Sequence, residues 1–498
     1  MQENTNKAIA LNSIILYIKM GINTICSLLI TRFALQALGV SDFGLFSVLG
    51  GIVSFIAIFN TILLSTTNRF IAVAIGKNNI KDANIQFNVC LLVHIAIALV
   101  TLLLAVPVGN WYIDRFINYE GDISNAYKVF NISIVASIIA FVGVPYNGLL
   151  MAKERFWIFS LVDILAHLIK LLVSYLLLDF FTNKLLVYTV AVSILSVVPI
   201  FIYMFYSYIK FSEIVKFRLV KEKSKYQEIF KFSAWVSIGA VSVVAKNQGA
   251  ALLVNAFFNT IMNTALGIAN SVNSYISLFA QNVAQPMSPQ ITKSYASGDR
   301  CRTDELLIMS TKFSFLMMLL VSIPFLVSPE WIIQLWLGEI PPYVVSFTVL
   351  LIIDNLVQSL NSGISNVIFA SGKISLYQVC ISVLNVLSIV LAYICLKLGM
   401  PVISLVISYI IVSLIKFVVI QIVLNKTLQY NSSLLIKNSY IPSLAVSILF
   451  VPILFLRGII HPVPLILVAM IYVLLIIVIV GMNKKERNYI VRIFNHFK

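Results

Sequence analysis

Apolar runs of about 18 or more residues recur along almost the whole sequence, and each is long enough to cross a lipid bilayer as a helix. Of the 498 residues, 60% are hydrophobic and only 11% are charged, whereas charged residues make up roughly a quarter of a soluble domain. Because lipid cannot satisfy open backbone groups, the spanning segments must be helical. The sequence therefore predicts an all-α polytopic membrane protein.

Fourteen predicted spans account for most of the chain. The first span lacks the short apolar core and the small-residue cleavage site of a signal peptide, so we interpret it as an uncleaved helix. The predicted spans cover 9–36, 44–66, 85–108, 126–151, 157–180, 185–208, 229–257, 261–288, 306–328, 343–370, 374–396, 401–424, 440–456 and 463–482.

The basic residues predict an orientation. The formal net charge is +16, and most of the Lys and Arg residues outside the spans fall at the N-terminus, in the loops after even-numbered spans and in the tail. Loops rich in Lys and Arg stay in the cytoplasm, so we expect both termini to be cytoplasmic. Because the charge is distributed over short loops between spans, it indicates a membrane surface rather than nucleic acid as the partner.

An internal repeat divides the chain. Ala74-Ile75-Gly76 after span two matches Ala296-Ser297-Gly298 after span eight, 222 residues later. Ala152-Lys153-Glu154-Arg155 after span four occupies the same place as Ala370-Ser371-Gly372-Lys373 after span ten, 218 residues later. A duplicated unit of six spans has both copies entering the membrane from the same side. Such parallel repeats commonly enclose a central cavity and alternate access around it.

The repeat and the most basic loop predict five segments. They are an N-lobe of six spans over 1–210, a basic cytoplasmic linker over 211–228, a C-lobe of six spans over 229–427, two further spans over 428–483 and a basic amphipathic tail over 484–498.

Polar residues form stripes at helical spacing inside several spans. Asn23 belongs to such a stripe in span one, and the clearest stripe follows span eight through Asn270, Ser274, Ser277 and Gln281. A single Asn or Ser is typical of the hydrogen bonds that link packed membrane helices. We interpret the whole stripe of span eight as the wall of a water-lined cavity.

Four lysines lie inside predicted spans, at Lys19, Lys170, Lys246 and Lys416. Each would cost roughly 2.5–3.5 kcal/mol at the centre of a helix that faces lipid. We expect Lys416 to extend its stem towards the cytoplasmic interface. We expect Lys19, Lys170 and Lys246 to face a cavity, the last with Asn247 and Gln248 beside it.

Two acids, Asp163 and Asp354, are the clear carboxylates within spans. Asp163, His167 and Lys170 share one face of span five. One interpretation is a structural ion pair that neutralises the lysine, and the other is a titrating relay, since histidine changes charge near neutral pH. Either way the predicted cavity has an excess of positive charge. An excess of lysine suits an anionic substrate, especially a phosphate, and amides and hydroxyls suit sugar hydroxyls.

The stretch from Thr31 to Gly76 resembles the start of bacterial polysaccharide repeat-unit flippases of the multidrug/oligosaccharidyl-lipid/polysaccharide exporter superfamily. The residues that carry the resemblance are Ala37-Leu38-Gly39, Asp42-Phe43-Gly44-Leu45-Phe46, and Arg69-Phe70 before Gly76.

The resemblance implies a flippase for undecaprenyl-diphosphate-linked O-antigen or capsule-type oligosaccharides in the bacterial inner membrane, with a MATE-like arrangement of two six-helix lobes plus two extra helices. Polysaccharide assembly proteins would be its partners. Lys19 and Lys246 match the basic cavity residues of similar flippases, and Asp42 matches an acid between the first two helices. Gating or coupling would fall to Arg32 and Asp42 together with the acids, His167 and Lys170 of the spans.

An alternative function is a proton- or sodium-coupled exporter of small molecules that uses Asp163, His167 and Asp354. An enzyme is disfavoured, because the longest predicted outer loop, 109–125, is short for a site that acts on glycans. The sequence has no GxxxxGK[ST] nucleotide loop, and its cysteines show no metal-ligand spacing. We expect transport without chemistry on the substrate and without a cofactor.

Overall fold

A computed structural model describes residues 2–117, 119, 122–258, 260–337, 340–430, 432–484 and 486–488. The chain forms two compact units, one of Ala8–Ser237 and one of Ile238–Lys498 with Met1–Lys7. The boundary between them falls inside a helix, not in the basic linker. Most of the tail predicted over 484–498 lies outside the described residues.

The first unit is built from five long helices and one short helix. These are α1 (Gln2–Gly76), α2 (Ile80–Phe116), α3 (Ile123–Ala152), α4 (Phe156–Leu176), α5 (Lys184–Lys210) and α6 (Ser212–Val215), followed by the first turns of α7 (Lys223–Phe257). Gly39 interrupts α1, because its φ of 75° and ψ of 173° are not helical. This break falls between the first two predicted spans and divides α1 into two helical segments.

The second unit continues α7 and adds ten helices and two π-helical turns. They are α8 (Thr260–Ala296), α9 (Arg300–Val327), α10 (Pro329–Leu337), α11 (Val344–Ser359), α12 (Ser362–Ser371), α13 (Ser375–Lys397), α14 (Ser404–Leu428), α15 (Ser432–Leu435), a π turn (Ile436–Tyr440), α16 (Ile441–Leu454), α17 (Pro462–Ile476) and a second π turn (Ile477–Gly481).

Eleven helices in the described part of the chain are long and apolar enough to cross a membrane, and the bent pair α11–α12 makes twelve. The predicted spans 44–66 and 261–288 are not among them. The first continues α1 beyond Gly39, where only Ile62–Gly76 qualifies as a shorter apolar helix. The second is α8, in which the polar stripe lowers the hydropathy. The predicted all-helical membrane fold is confirmed, and both of these segments are helical.

The repeat is visible in the turns that follow equivalent helices. Asn78 and Gly298, 220 residues apart, both have a positive φ, of 53° and 80°. The next residue in each case caps the following helix through its side chain: Asn79 accepts from the Asp82 N–H, and Asp299 accepts from the Arg302 N–H. The second pair of turns shares the positive φ, of 60° at Glu154 and 77° at Gly372, but the helices that follow have no side-chain cap.

Helix α9 lies at the centre of the second unit, because α8, α11, α12, α16 and α17 all pack on it. Lys312 of α9 is buried, with 1% of its side chain exposed, and its Nζ lies 2.6 Å from Glu486 Oε2. Lys312 lies six residues inside the predicted span 306–328, and this position is the sequence signal that identifies it as an intrahelical lysine.

Close packing on α9 leads to a prediction at Gly363. An added Cβ there would lie 2.4 Å from Thr311 Oγ1 and 2.5 Å from the Leu307 carbonyl oxygen. Because helix backbone cannot move aside, we expect Gly363→Ala to destabilise the protein by roughly 1–3 kcal/mol. Thermal unfolding of the purified protein in detergent measures this loss.

Gly267→Ala in α8 is the matched control. No heavy atom lies within 4 Å of a Cβ built at Gly267. The control substitution is therefore expected to be neutral or to stabilise by up to about 1 kcal/mol, the helix propensity gain of Ala over Gly. Equal melting temperatures for the two variants would contradict this packing account.

Candidate functional site

Lys19 of α1 and Asp163 of α4 form an ion pair inside the first unit. Lys19 Nζ lies 2.8 Å from Asp163 Oδ2, and Asn23 Nδ2 donates to the same oxygen at 2.7 Å. The Lys19 ammonium also lies 3.8 Å from the centre of the Phe159 ring, within the range of a cation–π contact. Two neighbouring residues of α1, one turn apart, thus hold one carboxylate of α4.

The predicted pairing of Asp163 with Lys170 is wrong. Seven residues of helix separate the two by about 10.5 Å along the axis, whereas α1 brings Lys19 directly to the carboxylate. His167 is close, with Nδ1 3.8 Å from Asp163 Oδ1 and 2.9 Å from the Asp163 carbonyl oxygen. The three residues predicted as one group do lie on one face of α4.

A cavity of about 410 Å³ opens beside this ion pair, within the first unit. Asp163, His167 and Lys170 line it from α4, and further walls come from α1, α3 and α5. Its other polar lining residues are Asn60, Asn147, Ser196 and Tyr203. The side-chain oxygens of Asn60 and Asn147 are buried and have no hydrogen-bond partner among the described residues. Two amide side chains of the cavity wall therefore keep an unpaired oxygen buried beside the cavity.

A second lysine–aspartate pair lies inside the second unit. Lys246 Nζ of α7 lies 3.4 Å from Asp354 Oδ2 of α11, and only 12% and 4% of the two side chains are exposed. Gln358 donates to Asp354 Oδ2 at 2.8 Å, and the Ser413 hydroxyl donates to the other oxygen. The Lys246 ammonium also lies 4.1 Å from the centre of the Tyr409 ring. Asp354 is thus held by three donors from three helices.

Lys416 of α14 belongs to the same cluster. Its Nζ lies 3.5 Å from Asn385 Oδ1, and the Asn385 amide donates to Ser242 Oγ at 2.9 Å. Lys416 also interacts electrostatically with Lys246 and Asp354. The expected extension of its stem to the interface is therefore wrong, because α13 presents an amide oxygen that holds the ammonium inside the unit.

The two pairs are only partly related by the repeat. Lys19 and Lys246 each lie on the helix that opens a set of six spans. Their acids lie on helices that the repeat does not relate, since Asp163 is on α4 and Asp354 is on α11. The offsets of 218–220 carry Asp163 to 381–383, where the sequence is Ile-Ser-Val. The same offsets carry Lys19 to 237–239, where the sequence is Ser-Ile-Gly, so each unit has its own lysine–aspartate pair at positions that the repeat does not relate.

The remaining predicted residues are not all gathered at these clusters. Asn247 and Gln248 follow Lys246 in sequence but have exposed side chains, as do Arg32 and Gln281. On α8, Ser274 is also exposed, and it donates to the carbonyl oxygen of the half-buried Asn270. Ser277 accepts from the Asn355 amide at 2.6 Å, so this part of the stripe links α8 to α11.

Asp42 binds a tyrosine in the connection between α2 and α3. The Tyr119 hydroxyl donates to Asp42 Oδ1 at 2.5 Å. Burial, and then the hydrogen bond to Asp42, raises the pKa of Tyr119 to about 12. The structure thus gives Asp42 a neutral phenol as partner.

The raised pKa of Tyr119 predicts a pH dependence. The unfolded tyrosine titrates near pH 10, so the stabilisation is fully present below about pH 10 and is lost as pH rises towards about 12. We expect Tyr119→Phe to melt below the wild type at about pH 8 and the difference to shrink by about pH 11. Melting curves across that range test this, and a constant difference would contradict it.

Together, the two clusters place one neutralised carboxylate in each unit. A carboxylate paired with a lysine can exchange the ammonium for a proton or another cation, and the ammonium then needs another partner. No group of three His, Cys, Asp or Glu residues in the described chain is close enough to hold a metal ion.

Comparisons with known proteins agree with this architecture. Residues 16–176 match the family model MatE, and no curated protein matches the sequence. The chain is similar to the crystal structure of MATE in the straight conformation, with a TM-score of 0.74 at 14% identity over 86% of this chain and 97% of that one.

Two further structures are similar over comparable lengths. One is an outward-facing multidrug resistance MATE transporter of the MOP superfamily, with a TM-score of 0.73 at 13% identity over 85% of this chain and 96% of that one. Another is a MOP superfamily transporter from Pyrococcus furiosus Vc1 (DSM3638), with a TM-score of 0.72 at 14% identity over 86% and 97%. The chain has the fold of the MATE transporters, and its residues 16–176 carry the MatE sequence pattern.

Proposed function

We propose that this chain is a secondary active exporter of small organic molecules, driven by the counter-movement of a proton or sodium ion. The observation that carries the proposal is the pair of lysine–aspartate clusters, Lys19–Asp163 and Lys246–Asp354, one in each unit. The MATE fold supports an exporter, and a multidrug resistance transporter among the similar structures supports small molecules as the cargo.

The ion pairs suggest how coupling works. A proton or sodium ion that binds Asp163 displaces the Lys19 ammonium, which then needs another anionic or polar partner. The two arrangements differ in which partner the carboxylate has, so ion binding shifts the population between them. Asn60 and Asn147 line the neighbouring cavity, and amide oxygens are among the ligands that hard cations prefer.

The test is transport in a bacterial host that lacks its own exporters. Cells that express the chain should tolerate at least one class of toxic dye or antibiotic better than cells with an empty vector. Everted vesicles from the same cells should move the same compound when a pH or sodium gradient is imposed. If no compound in a broad panel is exported under either gradient, the proposal fails.

A second candidate is the flippase for lipid-linked oligosaccharides in the bacterial inner membrane. The observation in its favour is the cluster in the second unit, where Lys246 and Lys416 lie near the single carboxylate of Asp354. This leaves one positive charge in excess, which suits the diphosphate of such a lipid. Polysaccharide assembly proteins would then be the partners of the chain.

The two candidate functions predict different effects on surface glycan and on drug tolerance when the chain is altered or absent. For a flippase, Lys416→Met should abolish surface glycan in a strain that depends on the chain, while drug tolerance is unaffected. For an exporter, glycan is normal in the absence of the chain. Surface glycan staining and drug susceptibility in the same deletion strain therefore separate the candidates.

A further inference from the structure

The linker between α5 and α7 is fixed to the first unit by two asparagines of α2. The Asn84 amide donates to the carbonyl oxygens of Ile214 and Lys216, at 2.8 Å each. The Asn88 amide donates to the Lys216 carbonyl at 3.0 Å and accepts from the Arg218 N–H at 3.0 Å. These four hydrogen bonds hold a segment without regular structure as an ordered loop.

The far end of the loop is fixed as well. Tyr226 donates its hydroxyl to the Val220 carbonyl at 2.9 Å, and Lys225 forms a 3.3 Å ion pair with Asp82 of α2. Val220 is buried, as are Ile214 and Val215 of the short helix α6. The backbone between these anchors is fixed, so some of its side chains are buried in the unit and others are exposed.

The outward side chains are both apolar and basic. Phe217 is 60% exposed and Leu219 is 61% exposed. The basic side chains beside them in sequence are also exposed. We call this set the linker surface: Lys216, Phe217, Arg218, Leu219, Lys221 and Lys223. None of its four basic side chains is paired with a carboxylate in the described part of the chain, and Glu222 is the only acid between its ends.

The position of the loop identifies its neighbour. Helix α5 ends at Lys210 and α7 begins at Lys223, and both are long and apolar enough to span the membrane. The loop between them therefore lies close to the membrane boundary. An ordered loop that holds two large apolar side chains away from its own core leaves them available to another apolar environment, and the nearest one is the membrane.

We propose that the linker surface docks on the anionic lipid headgroups of the leaflet at its end of α5 and α7. Phe217 and Leu219 insert at the boundary between headgroups and acyl chains, and the four basic side chains contact lipid phosphates. Basic residues near a membrane surface attract anionic lipids, and adjacent aromatic and aliphatic side chains add apolar burial. This inference does not depend on which cargo the protein carries.

The experiment measures how deeply one side chain of the linker surface is immersed in the lipid bilayer. The full-length protein carries a nitroxide label through Leu219→Cys in a Cys301→Ser background, because Cys301 is the exposed native cysteine. The protein is placed in nanodiscs of phosphatidylcholine with or without phosphatidylglycerol. Collision of the label with oxygen, relative to a water-soluble nickel chelate, reports its immersion.

We expect the oxygen-to-nickel ratio to rise by roughly twofold or more when phosphatidylglycerol is present. The double variant Lys216→Gln and Lys221→Gln should lose this rise. The matched control is Arg115→Gln with Lys128→Gln, which removes the same charge from exposed side chains at the end of α2 and the start of α3. In this control the oxygen-to-nickel ratio should still rise when phosphatidylglycerol is present.

Two results would overturn the proposal. A label that stays in water in both kinds of nanodisc would mean that the surface serves another partner, such as an acidic protein. A label that is immersed to the same depth with either lipid and in both double variants would mean that anionic headgroups are not what the surface recognises.

Discussion

Replacing Lys246 with Met is expected to destabilise the second unit by roughly 3–5 kcal/mol and to abolish transport. The substitution removes the ammonium that contacts the buried Asp354 carboxylate, whereas the Lys416 ammonium is held by Asn385 and does not form an ion pair with it. Hydrogen bonds from Gln358 and Ser413 remain, but they do not neutralise the charge. Thermal unfolding in detergent measures the first effect, and a transport assay measures the second.

The double variant Lys246→Met with Asp354→Asn distinguishes the effect of the cluster on stability from its effect on transport. It removes both charges and keeps an oxygen that can accept from Gln358 and Ser413, so most of the lost stability should return. Transport should remain absent, since the exchangeable carboxylate is gone. If the double variant were stable and transported at the wild-type rate, the cluster would be a structural element only.

Asp163→Asn is expected to reduce gradient-driven transport at least about tenfold, with little change in stability. The Lys19–Asp163 pair is partly exposed, at 17% and 29%, and ion pairs of that kind contribute about 1 kcal/mol or less to stability. The loss of transport has a different cause, because the side-chain amide of asparagine does not bind and release a proton as a carboxylate does. Initial rates in proteoliposomes, corrected for protein amount, provide the measurement.

The control for Asp163→Asn is Asp82→Asn. Asp82 forms a lysine–aspartate pair with Lys225 in the same unit and with similar exposure, 26% and 28%, but it lies outside both clusters. The variant should transport at the wild-type rate. Equal losses in the two variants would indicate that any broken ion pair in this unit impairs transport, which would contradict a specific role for Asp163.

Much of the fold could be predicted from the sequence, because hydropathy and loop charge act locally. The repeat could also be predicted, because short motifs such as Ala74-Ile75-Gly76 and Ala296-Ser297-Gly298 mark turns that need a positive φ close by. The segment 261–288 is predicted as a span and is helical as α8, and its polar stripe makes it less apolar than the other long helices.

The charged residues of the site could be predicted from the sequence, but their partners could not, for a physical reason. The lysines and acids were identified correctly as costly groups within helices, but their partners are far apart in sequence: Lys246 and Asp354 are separated by 108 residues. Helical periodicity relates residues a few turns apart, so it favoured Lys170 as the partner of Asp163. The real partner, Lys19, comes from a different helix. The predicted excess of free positive charge was correspondingly too large.

The central claim is that cation exchange at the two carboxylates drives export. The most direct measurement is uptake of a tolerated dye into everted vesicles under an imposed pH or sodium gradient, with the wild type, Asp82→Asn, and the double variant Asp163→Asn with Asp354→Asn. Gradient-dependent uptake is expected for the first two proteins and none for the double variant. Uptake by the double variant at the wild-type rate, with the same dependence on the gradient, would contradict the claim.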